Sequence, residues 1–191
     1  TNTPVPPTET PTNTPLPPTE TPTNTPLPPT ATATNTPAPA MVSGIVRLQS
    51  RSSPGTPGTI TLADTAAVFG TVTASFDAGT GAFSAAVQAL AGGSTYILTA
   101  SHDLYLSSQK TLTVFPGGTY AQAVTTLKGG DADNNGVVGI PDLACIGGAF
   151  GGPATPCGTG NSDLNGDGVV NIFDLVLAGS DFGLTSPQPW P

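Results

Sequence analysis

Charge is scarce in this chain, and what there is has mostly one sign. Four Lys and Arg stand against twelve Asp and Glu in 191 residues. No basic patch can therefore neutralise nucleic-acid phosphates or an anionic membrane surface, which excludes nucleic acid as a partner class. There is one histidine, no Gly-x-Ser-x-Gly elbow and no phosphate-cradling glycine loop, so catalysis is not expected. His102, between Ser101 and Asp103, reads as a loop residue and not as a general base. No apolar run reaches the roughly eighteen residues of a membrane span. No Asn-x-Ser/Thr acceptor for N-linked sugar occurs.

Cysteine is nearly absent as well. Cys145 and Cys157 are too few for a four-cysteine zinc site and have no second histidine to complete a mixed one. A disulfide is the better reading, closing a short loop and adding about 3 kcal/mol on the chain-entropy account. With little lysine and abundant Thr, Ser and Gly, such a bridge points to an extracellular or cell-surface setting.

What the chain has in excess is Thr and Pro at its start. Residues 1–40 repeat with a period of eleven, TNTPVPPTETP, TNTPLPPTETP, TNTPLPPTATA and then TNTPAPA. That period is too short for a solenoid, and the proline density blocks helix and ladder formation. An extended polyproline II stalk of at most roughly 120 Å is expected. Residue 1 already lies inside the repeat, as expected of a processed chain or a fragment. The threonines Thr1, Thr3, Thr8, Thr10, Thr12, Thr14, Thr19, Thr21, Thr23, Thr25, Thr30, Thr32, Thr34 and Thr36 are candidate acceptors for O-linked glycans, as in mucin-like stalks. An unmodified linker is the alternative.

Residues 41–128 read as a mainly β domain, with short β-rich runs between Gly, Pro and Asp turns. Expected strands are 42–48, 58–62, 69–76, 82–90, 95–101, 110–115 and 119–127, and the turn Asp77 to Gly81 fits a hairpin. Strands at this spacing predict a β-sandwich.

Residues 129–191 carry an internal repeat offset by thirty-two residues, DADNNGVVGIPDLACIGGAFG and then DLNGDGVVNIFDLVLAGSDFG. Each copy places oxygen-bearing side chains at positions 1, 3, 5 and 12 and glycine at position 6, the spacing of a twelve-residue calcium loop. Calcium takes six to eight hard oxygens, and this spacing wraps them around one point. The expected ligands are Asp131, Asp133, Asn135, the Val137 carbonyl and Asp142 in the first loop. In the second they are Asp163, Asn165, Asp167, the Val169 carbonyl and Asp174. Two calcium ions would offset the six clustered carboxylates, and their removal is expected to unfold residues 129–184 while sparing the sandwich. The bland alternative is that Asp, Asn and Gly merely form turns. Val138 and Val170, at position 8, are expected to pair with each other, and Trp190 either folds back on the loops or frays.

The order GIVRLQ, GTITL, GAFSAAV, GGSTYILTASHDLYLS and TLTVFPGG in the middle segment resembles the carboxypeptidase-regulatory-like or transthyretin-like sandwich of bacterial surface proteins. That resemblance implies a non-catalytic spacer or a carbohydrate- or protein-facing module. The paired loops, each followed by Asp-Leu and an apolar helix without a helix before it, resemble a dockerin module. This second resemblance implies two bound calcium ions and a cohesin-like partner in an extracellular assembly. Where cellulosomal dockerins often carry Ser-Thr at positions 10 and 11, this chain has Ile140-Pro141 and Ile172-Phe173. Ile140, Ile172 and Phe173 are the candidate partner-facing residues, unless they pack inward. Two roles follow, a docking module or a structural subunit of an O-glycosylated surface fibre in which copies of the chain contact one another.

Overall fold

A computed structural model describes residues 37–191 together with Thr1, Thr3, Pro4 and Thr8. The chain divides into two units, residues 1–35 and residues 36–191. Thr1, Thr3 and Thr8 are exposed, and the remaining threonine acceptors of the repeat lie outside the described residues. Among the described residues no helix is long and apolar enough to cross a membrane.

Eleven strands and two helices make up the second unit. In order they are β1 (Ala40–Leu48), β2 (Gly58–Asp64), β3 (Thr71–Phe76), β4 (Ala82–Val87), β5 (Ser94–His102), β6 (Tyr105–Val114), β7 (Thr119–Ala121), β8 (Thr125–Gly129), α1 (Ile140–Gly148), β9 (Pro156–Cys157), β10 (Gly160–Asn161), α2 (Ile172–Ser180) and β11 (Gln188–Pro189). The main sheet runs β3-β2-β5-β6-β8-β1-β4, with β11 beside β6 and β7 beside β1. Most neighbours are antiparallel, but β1 is parallel to both β7 and β8.

Period-two alternation builds the core. Ile60 and Leu62 of β2 and Tyr96, Leu98 and Ala100 of β5 face Val42 and Val46 of β1 and Phe83, Ala85 and Val87 of β4 in one buried cluster. Their neighbours along each strand stay partly or wholly exposed, as a two-layer sandwich requires. At roughly 1.5–3 kcal/mol for each large apolar side chain removed from water, this cluster is the main source of stability.

Three expectations need correction. The turn at Asp77–Gly81 exists, with the Asp77 carboxylate accepting from the Gly79 and Thr80 amides at 3.1 and 2.7 Å. It is not a ladder hairpin, however, because β3 pairs with β2 and β4 with β1. The turn carries the chain from one end of the sheet path to the other. Gly81 is obligatory there, since φ is +72° and an added Cβ would lie 1.8 Å from the Val46 carbonyl oxygen. The run 119–127 splits into β7 and β8, which follow successive stretches of β1. Finally, Trp190 folds back on the sandwich and not on the loops. Its ring meets Phe83 edge-on at 6.0 Å, and its Nε1 donates to the Ala123 carbonyl at 2.9 Å.

The C-terminal segment is integrated with the sandwich. Ala132, Val138, Ile146, Leu164, Val170, Leu177 and Ala178 belong to the same buried cluster as the sandwich core. Behind them, β11 lies parallel to β6 in register Gln188 with Ser108. Cys145 on α1 and Cys157 on β9 form a disulfide that staples the glycine-rich helix to the connector.

Two measurements test this packing. Trp190→Ala should lower stability by about 3–5 kcal/mol, because a buried indole is replaced by a cavity beside Phe83. Replacing Cys145 and Cys157 by Ser should cost about 2–3 kcal/mol, read as a lower urea midpoint. Midpoints equal to wild type would refute both.

Candidate metal centre

Each loop begins where the chain leaves a buried strand or bridge and ends on the first turn of a helix. In the first loop, Asp131 at position 1 turns back on the loop. Its two carboxylate oxygens accept from the Asn135 and Gly136 amides, each at 2.8 Å. In the second, Asp163 accepts in the same way from Gly166 and Gly168 at 2.8 and 2.9 Å. The reversal depends on left-handed backbone at position 6, with φ of +83° at Gly136 and +91° at Gly168. A side chain there would strain both turns.

The position-12 aspartates close the loops. Both are fully buried. Asp142 accepts from the Asp133 amide at 3.1 Å on one oxygen and from the Gly139 amide at 2.7 Å on the other. Asp174 accepts from the Leu164 and Asn165 amides at 2.8 and 3.1 Å and from the Asn171 amide at 2.9 Å. Each carboxylate thus ties the start of its loop to the start of its helix. It also sits on the positive end of that helix. Carboxylate oxygens have lone pairs beyond those these amides engage.

In the first loop the carboxylates converge, with oxygens of Asp131, Asp133 and Asp142 all within 4.8 Å of one another. Burial pushes the Asp131 carboxyl above its ordinary range, against the lowering effect of the two amides it accepts from, and the neighbouring carboxylates push the same way. The one ion pair among the described residues lies elsewhere, between Lys128 and Asp181 at 3.6 Å. Three crowded, partly buried carboxylates without a counter-cation form a donor set that fits a hard divalent ion. Asn135 lies against the same group, its amide nitrogen donating to Asp133 at 2.9 Å.

The second loop is laid out in the same way but clusters less tightly. Asp167 is held by the Val169 amide at 2.9 Å and by the side-chain amides of Asn165 and Asn171 at 2.9 and 3.3 Å. Those contacts, the Val169 amide first, hold its carboxyl below the usual range. Asn171, at position 9, also caps α2 by accepting from the Phe173 amide at 2.8 Å.

Val138 and Val170 do not pair with each other. The Val138 amide donates to the Leu184 carbonyl at 3.0 Å and its carbonyl accepts from Gly183 at 2.8 Å. Correspondingly, the Val170 amide donates to Gly152 at 2.9 Å and its carbonyl accepts from Gly151 at 2.8 Å. Each loop therefore pairs with the segment that follows the other loop's helix. The reason is steric and topological: the glycines after each helix release the chain beside the opposite loop.

The apolar residues at positions 10 and 11 point to solvent. Ile140 is 72% exposed, Ile172 55% and Phe173 66%, so the inward-packing alternative does not hold. Val176, one turn beyond Ile172 and Phe173 on α2, is exposed as well. His102 ends β5 in a polar cleft that Asp131 and Tyr105 also line, its ring stacked on Phe76 at 6.0 Å.

Sequence reading missed the residues that hold the loops to the sandwich. Asn134, with φ of +58°, accepts through its side chain from the Leu104 amide at 2.6 Å. Arg51 donates to the Leu164 carbonyl from two nitrogens, at 3.0 and 2.7 Å. Arg51 had no local signal, since it lies 113 residues from its partner.

No family model matches the chain, and no curated protein matches it in sequence. Among solved structures, a chain of an N-terminal interface mutant of a type II cohesin–X-dockerin complex from Acetivibrio cellulolyticus is similar in fold. The TM-score is 0.58 at 21% identity, over 77% of this chain and 97% of that one.

If the donor sets act as read, Asp142→Ala should reduce the calcium stoichiometry of the full chain from two ions to one by calorimetry. Asp174→Ala should do the same through the other loop. Two ions still bound by either variant would remove that aspartate from the ligand set.

Proposed function

We propose that this chain is a non-catalytic extracellular docking module, dockerin-like in its C-terminal part, whose two loops each bind a calcium ion. The observation that carries this reading is the repetition of one hydrogen-bond scheme at an offset of thirty-two residues. Asp131 and Asp163 fold back on the position-6 glycines, while Asp142 and Asp174 clamp loop to helix. Unrelated Asp-Gly turns would not repeat buried position-12 carboxylates in register. The bound ion would supply positive charge beside these clustered carboxylates.

The ligand set is Asp131, Asp133, Asn135, the Val137 carbonyl and Asp142, then Asp163, Asn165, Asp167, the Val169 carbonyl and Asp174. The ion's role is to hold the fold, since Val138, Leu164 and Val170 of the loops are buried in the core shared with the sandwich. An extracellular setting fits the disulfide and the high free calcium found there.

A cohesin-like protein is the partner this reading favours, docking on the exposed apolar residues Ile172, Phe173 and Val176 of α2, with exposed Ile140 of α1 a further candidate contact. Exposed aromatic and branched apolar residues on a short helix are the kind of anchors that carry docking energy. Fold likeness to a chain of a cohesin–X-dockerin complex supports this choice. The alternative, a fibre subunit contacting copies of itself through an O-glycosylated stalk, is favoured by the Thr-Pro repeat.

The test is titration of a purified type II cohesin into the full chain, with calcium and with chelator. A calcium-dependent complex, weakened at least about tenfold by Phe173→Ala, is expected. Absence of any complex, together with fibres of the chain alone by negative-stain microscopy, would overturn docking in favour of the fibre.

A further inference from the structure

The two loops are held by different means, and the difference centres on position 2. In the first loop the position-2 carbonyl, that of Ala132, faces the connector, where Gly160 approaches so closely that an added Cβ would lie 2.0 Å from the oxygen. In the second loop the equivalent carbonyl, that of Leu164, receives its donors from the sandwich. Arg51 Nε and Nη2 donate at 3.0 and 2.7 Å, and the Tyr105 hydroxyl, whose single proton is shared with the Gln49 carbonyl at 3.1 Å, lies 3.2 Å away. The guanidinium also packs over the Tyr105 ring at 5.6 Å from its centroid. An added Cβ at Gly166, position 4 of the second loop, would lie 3.1 Å from the guanidinium carbon.

Leu164 stands between two of the proposed ligands, Asp163 and Asn165, and its side chain is fully buried. Fixing its carbonyl fixes the backbone on either side of both ligands. The guanidinium binds a backbone oxygen and takes none of the carboxylate oxygens, so it orders the loop without competing for its ligands. A fork-shaped donor that reaches one acceptor with two N–H groups suits this task better than lysine would.

Resting on the calcium reading above, we propose that Arg51, supported by Tyr105, is a positioning residue for the second calcium loop, so that this contact sets the affinity of that site and not of the first. Outer partners of this kind change metal affinity by about 10- to 100-fold when removed. The two sites are therefore unequal by construction: the first is tied to its own connector and, through Asn134, to the Leu104 amide, and the second to the β1–β2 segment through Arg51.

The experiment is a calcium titration of the full chain, followed by NMR at the amides of Gly136 and Gly168. These amides donate to the position-1 aspartates and so report the two loops separately. Arg51→Met should shift the Gly168 midpoint to at least about tenfold higher calcium while leaving the Gly136 midpoint in place. Tyr105→Phe, which keeps the ring and both arginine contacts, should move Gly168 in the same direction by less. A Gly168 curve unchanged in both variants overturns the proposal, and so does an equal shift at both glycines, which would mean general destabilisation. If Arg51→Met does not fold, Tyr105→Phe decides by the same criterion. Failure of the wild-type chain to bind calcium would overturn the calcium reading and this proposal together.

Discussion

Asp142 and Asp174 carry the strongest constraint in the C-terminal third of the molecule. Both carboxylates are fully buried, and each joins the first residues of its loop to the first turn of the following helix. Burying a carboxylate costs several kcal/mol unless hydrogen bonds and a counter-charge offset it. Backbone amides supply the hydrogen bonds here, but the chain supplies no basic side chain at the first loop, where three carboxylates crowd together. The helices are nine residues long, α1 with two glycines and α2 with one, too short to persist alone. Their stability derives from the aspartates at their starts, the disulfide on α1 and the core beneath them.

The few basic residues are placed with the same economy. Of the four in the chain, Arg51 reaches Leu164, Lys128 reaches Asp181 and Lys110 donates to the Pro191 carbonyl at 2.6 Å. Three of four thus connect the sandwich to the segment after residue 129. Asp181 is buried at the end of α2, and burial raises its carboxyl even though Lys128 opposes the shift. Together with Trp190 wedged against Phe83, these contacts make loops, helices and sandwich a single packed body. A loss of order in the loops should therefore weaken the sandwich as well, contrary to what the sequence pattern leads one to expect.

Local signals were legible and distant ones were not. Alternation in runs such as 58–62 and 95–101 gave the strands, because each side chain's face follows from period two alone. The two cysteines could be paired because no other partner exists in the sequence. Asp, Asn and Gly at fixed offsets marked both turns and the helix starts that follow. By contrast, the assignment of β3 and β4 to opposite ends of the sheet path depends on which strands each finds, and a good turn at Asp77–Gly81 masks that choice. The same holds for Trp190, for the cross-pairing of Val138 and Val170 and for the reach of Arg51. Each is a contact between residues far apart in sequence, with nothing in its own neighbourhood to announce it. Ile172 and Phe173 fall between these cases, since their position on the loop was evident but their exposure was not.

Hydrogen exchange of the full chain, in calcium and then with excess chelator, tests the central claim most directly. Loops held by bound ions should lose amide protection across residues 129–184 when calcium is removed, with Asn135, Gly136, Gly166 and Gly168 among the first amides to exchange. Protection in that segment unchanged by chelator would contradict the account, since the buried aspartates would then be stable without a metal.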